Sequence, residues 1–326
     1  MLQANQMMYQ ILANRANSGD PFARLELTFM AMQYLEKAEV PENIAFGMSV
    51  LEDLSKCRDE IFQSVLAKTM YEFALKILEN NPTLAVQLFI LASELGNLEA
   101  KRNLAVCFFE GDGTTRQLDK VVDLLKECYH AGDQTVLAKM YTIAVQLLSG
   151  YNGRVPSALP RAIEISTAVE LLKFAARAGH ASALKDFAIL GWWFYRGIAP
   201  CSRDVEQGVA IVKMAAKLGD KWAVKQINTI AVSLLSGSDG CQKDVEYSME
   251  LFAYAAQGDE DARFNLHVLA NLFLSPEKLE PDYGIDEQDV PTGRRILDYL
   301  SVLNTLDSHL PRAPIRAIIC EYLPEI

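Results

Sequence analysis

Four histidines and six cysteines are the residues of this 326-residue chain best suited to holding a metal or attacking a substrate. The histidines are His130, His180, His267 and His309, and no two have the H-x3-H or H-x-x-E-H spacing that turns both imidazoles toward one zinc ion. The cysteines are Cys57, Cys107, Cys128, Cys201, Cys241 and Cys320, and no C-x2-C occurs among them. There is no G-x4-G-K-[ST] phosphate loop and no G-x-S-x-G nucleophile elbow. "GSDG" at 237–240 imitates a phosphate loop but falls in register with "GDG" at 111–113, so it reads as a connection between two helices. The acidic stretch 275–290 carries Glu277, Glu280, Asp282, Asp286, Glu287 and Asp289 without the D-x-[DN]-x-[DN]-G order of a calcium loop. Asp186 is a lone carboxylate with no evident catalytic partner. The expectation is therefore no catalytic residue, no metal and no cofactor.

The elements that carry these residues repeat. "AARAGHASAL" at 175–184 recurs as "AAKLGDKWAV" at 215–224, "AAQGDEDARF" at 255–264 and "ASELGNLEAK" at 92–101. Turn glycines stand at 19, 96, 132, 179, 219 and 258, and Arg58 and Asn304 occupy two further places in the series. Successive gaps are 39, 38, 36, 47, 40, 39 and 46 residues. A period near 40 indicates stacked two-helix units, none able to bury its apolar face alone. The second helix of each unit keeps small residues at fixed offsets: Gly208, Ala215 and Ala216 before Gly219 match Ala168, Ala175 and Ala176 before Gly179, and Ala85, Ala92 and Ser93 before Gly96. Gly or Asn just past a helix end suits the left-handed cap. Two connections are swollen, at 150–163 and 275–290, and the second reads as a solvated loop. The segment 307–326 is expected to be an amphipathic helix covering the last unit.

Comparing columns separates core from surface. With the Leu of each first helix's Leu-small pair as position zero, +4 (Tyr34, Phe108, Leu147, Phe194, Leu234, Phe273) and +5 (Leu35, Phe109, Leu148, Tyr195, Leu235, Leu274) are uniformly large and apolar. Position +3 (Gln33, Cys107, Gln146, Trp193, Ser233, Leu272) is mixed, and −4 (Glu26, Lys139, Asp186, Gln226, Asn265) is polar. Seven residues apart, −4 and +3 define one stripe, expected to face solvent. Trp193 breaks its polarity and reads either as packing against an adjacent repeat or as a binding anchor, which Trp222 at the helix entrance would join. Trp192, in a column with Met32, Val106, Val145 and Val232, reads as core.

"GNLEAKRNLAVCFFEGDGTTRQLDKVVDLLKECYHAG" (96–132) resembles a Sel1-like repeat, a relative of the tetratricopeptide repeat. The resemblance is specific over 81–264 and looser at both ends. It implies an all-α fold: a right-handed α/α solenoid of about seven helix pairs over 1–306, closed by the capping helix at 307–326. In most units the alanine and the Leu of the first helix lie seven apart rather than the four of the unit at 96, as in Ala183 to Leu190. This marks a divergent member with first helices longer by about 4.5 Å and a deeper groove wall. In such solenoids the first helices line the concave side, so the stripe becomes a groove floor. The expected partner-binding residues are Trp193, Trp222, Lys139, Gln146, Asp186, Gln226, Ser233 and Asn265. Stacked equivalents such as Cys201 and Cys241 would lie about 8–10 Å apart, beyond the roughly 7 Å a disulfide tolerates, which points to reduced thiols and a reducing compartment.

Composition bounds the function. Half the residues are hydrophobic, which excludes a disordered chain. The net charge of −11 argues against nucleic-acid and anionic-membrane binding. No signal peptide and no spanning segment is visible, so the expectation is a cytoplasmic protein. The function expected is a non-enzymatic scaffold or adaptor that takes a protein or peptide in its groove. The alternative is a cytosolic inhibitor of the immunity-protein type that blocks a partner toxin, to which an acidic surface would be suited. The oligomeric state is left open.

Overall fold

The computed structural model describes residues 2–37, 40–151, 153, 159–274 and 290–309. Among these are fifteen helices and no strand: α1 (Leu2–Asn17), α2 (Pro21–Glu36), α3 (Pro41–Ser55), α4 (Glu60–Ile77), α5 (Pro82–Glu94), α6 (Leu98–Glu110), α7 (Leu118–His130), α8 (Val136–Leu148), α9 (Arg161–Arg177), α10 (Ala181–Arg196), α11 (Val205–Lys217), α12 (Lys221–Ser236), α13 (Val245–Ala255), α14 (Glu260–Leu274) and α15 (Val290–His309). From α2 onward they form seven pairs, preceded by α1. The chain divides inside α9 into two compact units, Met1–Ala168 and Val169–Ile326.

Within the first unit each helix from α1 to α8 packs on its chain neighbour, apart from α3 on α4, and within the second the same holds from α10 to α15. First helices of successive pairs also touch, α2 with α4, α10 with α12, and α12 with α14. This is α/α solenoid packing. α10 and α12 have sixteen residues against thirteen in α6, the lengthening that the seven-residue spacing predicts.

The turns explain why the helices stop and restart where they do. At Gly96 (φ 87°) the amide bonds to Ser93 O, and the next amide, Asn97, reaches back to Ala92 O. Asn97 Oδ1 then accepts from Ala100 N and opens α6. Gly179 with His180 and Gly219 with Asp220 repeat this, the caps being His180 Nδ1 and Asp220 Oδ1. A positive φ beside a side-chain acceptor turns the chain in two residues.

Small residues set the spacing inside the pairs. Ala183, Ala223 and Ala262 of the first helices are fully buried, as are Ala85 and Ala168 of the second. Gly208 is the tightest: a Cβ there would stand 2.5 Å from Tyr195 N and 2.8 Å from Gly191 O, so α11 rides on the backbone of α10. Phe108, Phe109, Leu147, Phe194, Tyr195, Leu234, Leu235 and Phe273 are buried as their columns predict, while Tyr34, Leu148 and Leu274 are half-buried.

The structure departs from the expected boundaries in three places. α15 runs unbroken through Asn304 to His309, so the turn expected at 304 is absent and the junction at 306/307 lies within a helix. Asparagine lacks glycine's freedom at positive φ, and nothing there stops the helix. The remainder of the expected capping helix, 310–326, lies outside the described residues, as does the acidic loop apart from Val290. Gly258 is not left-handed; its amide and that of Asp259 both bond to Ala255 O. At Arg58 the turn occurs without a left-handed residue, and Asp59 caps α4 through Phe62 N.

Candidate functional site

The exposed line of the first helices lies one residue away from the stripe read off the columns. Lys185, Lys225 and Phe264 at −5 are exposed, as are Thr142 and Thr229 at −1 and Val145 and Val232 at +2. In α2 the expected stripe is exposed at Glu26 and Gln33, but farther along it sits at the margin: Lys139, Asp186, Gln226 and Asn265 at −4 and Gln146 and Trp193 at +3 are half-buried. One residue is about 100° of helix rotation, enough to carry a side chain from solvent to a flank. Ser233 corrects the reading outright. It is only 3% exposed, its hydroxyl donating to Asp239 Oδ2 at 3.0 Å and lying 3.2 Å from Thr229 O, which shares the proton. Cys107 and Leu272 in the same column are buried too. A column mean misled because small polar residues can be satisfied inside, while isolated valines sit in water at little cost.

The aromatic centre also moves by one residue. Trp192, expected in the core, is half-buried, and its ring meets Trp222 edge-on at 6.3 Å and 78°. Trp222 therefore joins Trp192 rather than Trp193, and it is 39% exposed. Tyr195 lies behind, its ring 5.3 Å from that of Trp192. The Arg196 guanidinium stands 5.3 Å over the Trp192 ring while its Nη1 pairs with Asp239 Oδ2 at 2.7 Å. That hydrogen bond, with a second from Ser233, holds the Asp239 carboxyl below the usual carboxylate range. No sequence column marked this site, because the +2 column is apolar and reads as core until Val145 and Val232 are seen in solvent.

The loop at 237–240 is occupied by its own chain. Gly237 caps α12 with φ 69°, Asp239 takes φ 56° and pairs with Arg196, and Arg203 Nη2 bonds to Asp239 O. Arg203 also approaches Cys241 Sγ at 3.6 Å, whose other neighbour is the Tyr195 hydroxyl at 3.5 Å. Burial, then that thiol, pushes the Tyr195 phenol up to about 12.

Arg116 makes the corresponding hand-off in the first unit, and it is buried. Its Nε donates to Phe109 O at 3.0 Å, Nη1 to Glu164 Oε1 at 2.8 Å and Nη2 to Tyr151 O at 3.1 Å. Arg161 supplies a second cation to Glu164 Oε2 at 2.8 Å and bonds to Leu147 O and Leu148 O. Tyr151 OH donates to Glu110 Oε2 at 2.6 Å. Hydrogen bonds thus tie the described ends of the 150–163 connection to α6 and α8, while Gly150, Pro160, Ala162 and Ile163 stay exposed. Among the described residues no group of His, Cys, Asp and Glu is placed to hold a metal ion, and no helix is long and apolar enough to cross a membrane.

With the helix pairs and this face defined, comparison with known proteins is informative. The family model of the Sel1 repeat matches residues 63–97, 98–121, 150–180, 188–220 and 230–260. Four of these matches end one or two residues past a turn glycine, at Gly96, Gly179, Gly219 and Gly258. The chain carries five Sel1 repeats. Sel1-repeat proteins generally mediate protein–protein interaction and are typically non-catalytic. Two similar solved structures are c5321, described as a protective antigen of uropathogenic Escherichia coli strains displaying an SLR fold, and a Sel1 repeat protein from Oxalobacter formigenes. The first is 18% identical with a TM-score of 0.28, over 92% of this chain and 57% of its own, so this chain spans little more than half its length. The second is 16% identical with a TM-score of 0.25, over 90% and 99%. No curated protein matches the sequence.

Proposed function

We propose that this protein is a non-catalytic scaffold or adaptor that takes a protein or peptide partner against the exposed face of its first helices, centred on α10 and α12. The observation that carries the reading is the Trp192–Trp222 contact, a pair of half-exposed indoles joining successive repeats on the face where first helix meets first helix. Tryptophan is the residue type most enriched in binding hot spots, and a partly exposed pair is costly to keep without a use. Of the residues expected from the sequence, Trp222 belongs to this centre. Trp193, Asp186 and Gln226 flank it on α10 and α12, and Asn265 extends it on α14, hydrogen-bonded to Asn228 at 2.9 Å. Lys139 and Gln146 belong to the corresponding face of α8. Buried thiols at Cys128 and Cys241 support a reducing, cytoplasmic setting. The inhibitor alternative drew on an acidic surface, and the indole-bearing helices do not supply one.

The test is affinity capture with the full chain and with the W192A/W222A variant. The reading requires a partner retained by the native chain and lost by the variant at unchanged helicity. A partner held equally by both moves the binding surface elsewhere.

A further inference from the structure

The charge on α10 and α12 runs against that of the chain. The protein carries a net −11, yet these two helices hold Lys185, Arg196, Lys221 and Lys225 against a single carboxylate, Asp186. Lys185, Lys221 and Lys225 are exposed, while Asp186 is half-buried at the flank. Arg196 is already committed, stacked over Trp192 and paired with Asp239, so its role is to brace the indole. The three lysines lie on the same two helices as the aromatic pair, with the cap carboxylate of Asp220 beside Lys221. Lys221 precedes Trp222 and Lys225 follows it by three residues, one turn along the same face. Lys185 precedes Trp192 by seven, two turns away, or about 10 Å.

Resting on the reading above, we propose that the occupant of this face is an acidic peptide segment carrying one large apolar side chain. That side chain lies against the Trp192–Trp222 pair, and flanking carboxylates meet Lys185, Lys221 and Lys225. The spacing constrains the ligand: the helix rise of about 10 Å between positions 185 and 192 matches about three residues of extended chain at roughly 3.3 Å each. The motif is therefore a carboxylate about three positions from an aromatic or large aliphatic residue. Charge complementarity selects this partner over a basic one, which would be drawn to the rest of the acidic surface and repelled here. Single-stranded nucleic acid also likes indoles and cations, but it needs a continuous cationic track to follow its backbone. Three lysines on a chain of net −11 do not make one.

The chain reports on this site by itself, because all three of its tryptophans, Trp192, Trp193 and Trp222, lie on α10 and α12. The experiment titrates the full protein, by tryptophan fluorescence, with a short synthetic peptide of Asp and Glu around one Phe. Controls are the same peptide with Gln and Asn, the same peptide with Lys, and a single-stranded oligonucleotide. The expected result is saturable binding of the acidic peptide that weakens with salt, with affinity lost by about tenfold or more in K185E/K225E and in the neutral peptide. Both lysines are exposed, so helicity should be unchanged in that variant. Equal binding of the neutral or basic peptide, or displacement of the acidic peptide by the oligonucleotide, overturns the proposal. So does the absence of acidic-peptide binding while W192A/W222A still loses its captured partner; in that case the binding face stands and only its assigned chemistry falls. Retention of that partner by W192A/W222A removes both.

Discussion

Substituting Glu164 with Gln should destabilise the protein more than removing its buried partner Arg116. Arg116 and Glu164 have side chains 1% and 4% exposed, and Arg161, 37% exposed, is the second cation on the same carboxylate. In E164Q the Arg116 guanidinium stays buried without its counter-charge, while Arg161 can turn to water. An uncompensated buried charge of this kind costs about 3–5 kcal/mol. In R116M the carboxylate keeps Arg161 on Oε2, and the loss is of the donors to Glu164 Oε1, Phe109 O and Tyr151 O. Two carbonyls and one carboxylate oxygen left short of a donor cost about 3 kcal/mol together. The double variant R116M/E164L removes both buried charges and should be more stable than E164Q alone. Urea unfolding followed by circular dichroism gives all three values from midpoints at constant m. If R116M costs more than E164Q, or if E164Q costs under about 1 kcal/mol, the cluster is not a desolvated ion pair and the argument fails.

Gly208→Ala should cost about 1–3 kcal/mol, because the new methyl meets the α10 backbone rather than a movable side chain; the same urea assay checks it, with Gly219→Ala as a control that meets no atom but strains a positive φ by about 1–2 kcal/mol. Tyr195 and Tyr299 are pushed up to about 12 by burial from a reference of 10.0, so the folded state keeps their protons longer than the unfolded one. Their contribution to stability is full below pH 10 and is lost as pH rises toward 12. Tyrosinate absorbance should show these two phenols ionising late, together with unfolding, and ionisation of all twelve tyrosines near pH 10 without unfolding would contradict the burial.

Much of the architecture was legible because the repeat is built from local chemistry. The turn glycines, the alanine columns and the +4 and +5 apolar columns each report a requirement that a single residue meets by its own shape. The binding face was legible only in part. Ser233 looked like surface because its type is polar, but its hydroxyl finds Thr229 and Asp239 inside, which no column shows. Trp192 looked like core because it aligned with valines, and two of those valines turned out to be exposed. The indole contact joins +2 of one helix to −8 of the next, an offset set by how neighbouring helices cross rather than by register. Arg116 and Glu164 are 48 residues apart in different repeats, so nothing along the chain announces them as a pair.

The turns carry one more consequence, for how the chain comes into being. Every bond that closes the Gly96 turn lies between Ala92 and Ala100, and the same short reach serves Gly179 and Gly219. A nascent chain needs only a few residues beyond each glycine to complete that turn, and only the next helix to complete a pair. Contacts so close in sequence close quickly and do not wait for a distant terminus. Translation can therefore lay the array down one pair at a time, with the part already made serving as the template for the part still emerging.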